Sequence, residues 1–207
     1  MDSLKYDLKL FLDETSEVDL DPCIPIFHHW IQEQCLDEVL IDVADYRHVH
    51  HGPGVILIAH DAHYGMDLTG GRAGLLYSRR RETSPSRATL HSTRERLHSV
   101  FHCALTAAQR LEAEAAFEGR LRFRGDELLL RINDRLLAPN TAETFEHLCA
   151  QLQPFLATLY AEGTVKMAWH ADPKSAMTVT IKTAYAPHVG TLLTRLESNG
   201  MVGGEQS

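Results

Sequence analysis

The sequence predicts an α+β fold, a mainly antiparallel sheet covered by helices in the order β-α-β-β-β-α-β-β-α-β-β-α. Three observations carry this. Segments in which apolar and polar residues alternate recur along the chain, bounded by Gly, Pro, Asn or Asp. Between them lie segments with apolar residues spaced by three, four and seven. Strands also follow one another across tight turns, without the long crossovers of a doubly wound parallel sheet. No Pro-, Gly- or Ser-rich linker divides the chain, so residues 1–200 read as one domain. The Gly-rich end, Met201–Ser207, reads as a flexible tail.

Each element has a local cause. Leu4, Tyr6, Leu8, Leu10 and Leu12 alternate with polar residues and predict a strand. Asp21-Pro22 then caps a helix reaching about Cys35, with Ile24, Phe27 and Ile31 on one stripe. Residues 39–49, the turn His51-Gly52-Pro53-Gly54, residues 55–64, the turn Gly70-Gly71 and residues 74–80 predict a three-stranded meander. Ser84-Pro85 opens a long helix to about Glu118, where Gly119 stops it. Residues 120–124 and 127–133 read as a hairpin about Gly125-Asp126. Asn140 and Glu143 form a capping-box-like start for a helix to about Tyr160, kinked at Pro154. Residues 165–170 and 177–184 are strands across Asp172-Pro173, and Pro187 opens a last helix to about Glu197.

Composition narrows the function. Twenty basic against 28 acidic residues give a formal charge of −8, which argues against general duplex-DNA binding. No apolar run approaches the length of a spanning helix, so membrane insertion is not expected. The first residues lack a basic-then-apolar leader, and the four cysteines form no CxxC pair or disulfide framework. They read as reduced thiols of a cytoplasmic protein. The dinucleotide fingerprint, P-loop, nucleophile elbow, HExxH and EF-hand loop are all missing.

Histidine is the unusual feature. The chain has thirteen, and His48, His50, His51, His60 and His63 crowd one predicted hairpin beside Asp42, Asp45, Asp61 and Asp67. Imidazole and carboxylate are ligands for zinc or iron and also exchange protons near neutral pH. If the hairpin turns symmetrically about Gly52-Pro53, Asp45 lies opposite His60, an oriented acid–base pair on an otherwise apolar face. Shifted by one residue, His48 and His60 share a face with Asp42, a metal set to which His63 adds a further candidate. A second constellation, Glu95, His98 and His102, lies along one face of the long helix, as in half of a carboxylate-bridged di-iron site.

Arginine is also clustered. Arg79, Arg80 and Arg81 lead a basic segment, and Arg122 alternates with Arg120 and Arg124 on a strand, together suggesting an anion patch. Two functional readings follow. The first is a His/Asp site on the 42–67 hairpin, holding a divalent metal (Zn or Fe) or working metal-free with His60 as base. The second is a non-catalytic interaction or scaffold module, capable of homo-oligomerisation, whose arginine patch binds an acidic partner. The ligand or partner, small molecule or protein, is not encoded in any motif.

Overall fold

The computed structural model describes residues 5–14, 16, 19–80, 92–161, 164–172 and 174–200. Among these residues, eight antiparallel strands form one sheet, in the order β2-β3-β4-β5-β1-β6-β8-β7, with four α-helices. The strands are β1 (Tyr6–Leu12), β2 (Leu40–Tyr46), β3 (Gly54–Ala59), β4 (Ala62–Asp67), β5 (Gly74–Arg79), β6 (Phe123–Ile132), β7 (Val165–Trp169) and β8 (Met177–Thr183). The helices are α1 (Cys23–Glu33), α2 (Thr93–Ala113), α3 (Ala142–Tyr160) and α4 (Val189–Gly200). The α+β class and the antiparallel sheet are those expected, and no described helix is long and apolar enough to cross a membrane.

The element order differs from the expected one at two places. Residues 55–64 are not one strand: the chain reverses at His60-Asp61 between β3 and β4, making a four-stranded meander. Nothing in Ala59-His60-Asp61-Ala62 resembles a Gly or Asn turn signal. The reversal is held from both sides, by His60 N–H on the Val39 carbonyl (2.9 Å) and Arg80 N–H on the Asp61 carbonyl (2.8 Å). Conversely, the expected hairpin at Gly125-Asp126 is continuous β6. A Cβ on Gly125 would lie 1.9 Å from the Pro187 carbonyl oxygen, so this glycine admits a neighbouring backbone rather than a turn.

Boundaries shift for local reasons. α2 starts at Ser92, whose hydroxyl accepts from Glu95 N–H while the Glu95 carboxylate accepts from Ser92 N–H. The expected start at Ser84 and the tail 201–207 lie outside the described residues. α3 is capped by Thr141, and Asn140 instead ties down the β7–β8 turn. Its amide donates to the His170 and Asp172 carbonyls and accepts from Trp169 Nε1–H. α3 runs through Pro154. Cys35 lies beyond α1 rather than within it.

The helices cover one face of the sheet: α1 over β2 and β3, α2 over β1 and β5, α4 over β6, α3 over β7 and β8. Leu8, Leu10, Leu57, Tyr77, Leu130 and Ile181 meet the α2 stripe Leu97, Phe101, Ala104, Ala108 and Leu111 in one core. Burying a leucine-sized side chain contributes roughly 1.5–3 kcal/mol. Among the described residues the other face carries no helix, yet the residues of β1 that point there are also buried. Asp7 pairs with Arg131 (2.7 Å), Lys9 with Asp67 (2.5 Å), and Phe11 lies 3.7 Å beneath the Arg72 guanidinium. Arg72 in turn holds Glu127 through two hydrogen bonds of 2.7 and 2.9 Å. Charged side chains thus roof the centre of the open face.

Candidate metal centre

The hairpin register decides the fate of the expected histidine site. β2 and β3 pair Asp42 with Ile58 and Tyr46 with Gly54. The connection 47–53 is longer than a tight turn because two turns follow in succession, Val49 N–H to Tyr46 O and Gly52 N–H to Val49 O. Asp45 therefore lies opposite Val55 and not opposite His60. His60 sits in the β3–β4 turn, five residues further on, roughly 17 Å along the strand. Its ring nitrogen Nδ1 is 2.8 Å from Asp61, its own neighbour. Asp45 is engaged by Arg47, whose hydrogen bonds hold its carboxyl down at about 2. The face of β3 that the core buries carries Val55, Leu57 and Ala59, and Ile56 and Ile58 point the other way.

The expected metal set is likewise dispersed. Asp42 and His63 share the open face, with Ile58 between them in register, so they stand about 10 Å apart. Burial lowers the His63 pKa, with Arg80 adding to the effect. His48 lies in the 47–53 connection, its ring 6.4 Å from that of Tyr46. The arginines do not form one patch either. Arg79 points into the core, Arg80 is exposed, and Arg81 lies outside the described residues. Ser78 is in register with Asp7 and Arg131, nine residues up β6 from Arg122, roughly 30 Å. Arg122 instead lines a separate cleft of about 510 Å3, where Arg124 and His188 face Asp13, Glu14 and Asp126, a mixed rather than a cationic lining.

Among the described residues, one group of three metal-ligating side chains comes together: Asp37, His102 and Cys103. Its construction starts at the end of α1. Gln34 terminates the helix in the left-handed region, with φ at 46°. Its side-chain amide donates to the Ile31 and Leu40 carbonyls (2.8 and 2.9 Å) and accepts from Leu40 N–H (3.0 Å). Gln34 thereby pairs with the start of β2 as a strand would, and residues 35–39 are pinned at both ends. Asp37 projects from this loop. Glu38 turns inward, where it is 5% exposed and accepts from the hydroxyls of Tyr64 and Tyr77, the latter at 2.8 Å. Those tyrosines are a cross-strand pair of β4 and β5 with ring centroids 5.0 Å apart.

Helix α2 supplies the rest. His102 Nδ1 is 3.4 Å from Asp37 Oδ2, and its Nε2 is 3.5 Å from Glu197 Oε1 on α4. The donor atoms of Asp37, His102 and Cys103 all lie within 4.8 Å of one another. Cys103 is buried, His102 half-buried and Asp37 exposed, so the group sits at the edge of the core. The His98 ring stacks on that of His102 at 6.3 Å and its Nε2 donates to the Leu196 carbonyl. Glu95, expected to ligate beside His98 and His102, is committed to the cap of α2. Among the described residues, none of the other three thiols belongs to such a group of three ligands. Burial pushes Cys23 up to about 12 and raises Cys35 and Cys149, away from the reactive thiolate.

The sequence grouped His102 with Glu95 and His98; His98 does stack on it, and the structure adds Asp37 and Cys103. Asp37 is sixty-five positions away, and the α1–β2 loop, closed by Gln34 and anchored by buried Leu36, brings it to α2. Cys103 carried a weak signal, being adjacent to His102 on an apolar helix. No protein-family model matches this chain, and no curated protein sequence matches it either.

Proposed function

We propose that the protein binds one divalent transition metal ion, zinc by the chemistry of its donors, through Asp37, His102 and Cys103. The observation that carries this is the convergence of three donor atoms within 4.8 Å. Zinc bonds of about 2.0–2.1 Å put the N and O corners of a tetrahedron about 3.4 Å apart, the separation of His102 and Asp37. A thiolate beside imidazole and carboxylate suits zinc better than harder cations. Glu197 supports the same reading. The Glu197 carboxylate near Nε2 can accept from Nε2–H, which leaves the Nδ1 lone pair for an ion held between it and Asp37. Three protein ligands leave a fourth position for water or a ligand, which the ion would polarise. Metal binding is one of the alternatives drawn from the sequence, here assigned to the α1–β2 loop and α2 rather than to the hairpin.

The test is elemental analysis of untagged protein prepared without chelator. About one metal per chain is expected in wild type and in His60→Ala, with the ion lost from His102→Ala and Cys103→Ser. Loss in His60→Ala with retention in His102→Ala would restore the hairpin and remove this proposal.

A further inference from the structure

Among the described residues, β7 and β2 are the two edges of the sheet. An edge strand presents a row of backbone donors and acceptors that can pair with another chain. β7 is five residues long and carries Lys166, and short length and lysine both blunt an edge. β2 has neither safeguard, being seven residues long and without lysine. Of the seven large apolar side chains exposed among the described residues, four lie on it or beside it: Val39, Ile41, Tyr46 and Val49.

The backbone of β2 is nonetheless engaged by the chain's own side chains. The Val39 carbonyl accepts from His60 N–H, on the β3 side, so the Leu40 groups turn outward. Gln34 takes both, its amide accepting from Leu40 N–H and donating to the Leu40 carbonyl. A bulge between Leu40 and Asp42 then resets the alternation, and Val43 and Asp45 turn outward. Val43 N–H donates to Asp42 Oδ1 at 2.8 Å. Arg47 N–H, next in the series, donates to Asp45 Oδ1 at 3.0 Å. Arg47 also holds Asp45 through Nε and Nη2, at 2.9 and 2.7 Å, which fixes that carboxylate against the edge.

We propose that Asp42, with Asp45, seals β2 against pairing with a second copy of this chain. A second copy is the partner to be kept off because the edge is self-complementary. Antiparallel pairing about a two-fold axis at Ala44 sets Val43 of one copy opposite Asp45 of the other, so their outward groups exchange hydrogen bonds. In the same register Asp42 faces Tyr46, and Val39 comes to the end of the partner strand that carries Val49. The exposed apolar side chains of the two copies then cover one another. With Asp42 in place, Val43 N–H is already taken, and two carboxylates from each copy crowd the seam.

The experiment is sedimentation velocity of the full chain over a dilution series, joined to oxidative crosslinking through Ala44→Cys. Wild type is expected to be monomeric. Asp42→Ala is expected to dimerise, and Asp42→Asn, which keeps the acceptor for Val43 N–H, to stay monomeric. Both replace an exposed side chain, so the fold is retained. At the axis, non-hydrogen-bonded partners stand about 4.5 Å apart at Cα, within disulfide reach. Ala44→Cys is therefore expected to crosslink two copies about tenfold faster with Asp42→Ala than with Asp42 intact. Ile41→Cys, which faces Arg47 in this register, is expected not to crosslink in either background. A wild-type dimer, a monomeric Asp42→Ala, a dimeric Asp42→Asn, or equal crosslinking of Ala44→Cys in the two backgrounds overturns the inference. Crosslinking through Ile41→Cys in place of Ala44→Cys does so as well.

Discussion

Gln34 shows how much a single amide can determine. Its three hydrogen bonds close the α1–β2 loop, and together with buried Leu36 that closure sets Asp37 beside His102 and Glu38 beside the two tyrosines. Each net hydrogen bond contributes about 0.5–1.5 kcal/mol, and a backbone group left unpaired costs more. Gln34→Ala is therefore expected to lower stability by about 2 kcal/mol. It is also expected to weaken metal binding, because Asp37 loses its fixed position. Gln34→Glu should behave worse than a near-isosteric change suggests, since its carboxylate can still accept from Leu40 N–H but cannot donate to the two carbonyls. Urea denaturation beside metal titration checks both. Normal metal affinity in a destabilised Gln34→Ala would show that the loop is held by something else.

At the scale of elements, β6 is the informative case. Arg124-Gly125-Asp126 carries a turn signal, yet the strand passes straight through it. Arg124 and Asp126 point the same way and pair bidentately, at 3.0 and 2.8 Å, and Gly125 lets the Pro187 backbone approach. Gly125→Ala would force the Cβ against a carbonyl oxygen that belongs to the backbone and cannot swing aside. A loss of about 2–3 kcal/mol is expected in urea melts, in the range of overpacked cores. An unchanged midpoint would mean that the β8–α4 connection yields freely. The same contrast explains what could be read from the sequence. Alternation and helical spacing located nearly every element, because periodicity reflects which side chains the core needs. The two topological differences arose where a distant partner overrides local turn chemistry: Pro187 at Gly125, and Val39 with Arg80 at His60-Asp61. The candidate site was less legible for a related reason. His102 could be picked out, but Asp37 reaches it only through loop geometry, and the hairpin histidines were assigned on a register that the 47–53 connection does not have.

On the scale of the whole molecule, the open face acts as a charged clamp across the sheet. Arg72, Glu127 and Lys182 join the β4–β5 loop, β6 and β8. The Arg72 hydrogen bonds, with Lys182 adding, hold the Glu127 carboxyl below its ordinary 4.5, and Arg124 does the same for Asp126 below 3.8. Between the lowered and the ordinary values the unfolded chain binds more protons than the folded one. The stabilisation is therefore complete above the ordinary values and is lost as pH falls through the lowered ones. Urea midpoints should begin to fall as pH drops below about 6.5, where His63 protonates more readily in the unfolded chain, and fall more steeply below about 5 as these carboxylates follow. Glu127→Gln should be less stable at neutral pH, with a shallower acid decline. An identical acid decline in that variant would assign the effect to other carboxylates. The position of β1 has a further consequence, for synthesis. It is central in the finished sheet, yet both of its neighbours, β5 and β6, lie downstream in the chain. At about 5–20 residues per second, the ribosome delivers Leu75 roughly 3–13 s after its partner Leu10, and Leu128 roughly 6–24 s after it. Through that interval a nascent strand bearing Leu8, Leu10 and Leu12 has no sheet to join, which makes it the segment most in need of a chaperone's shelter.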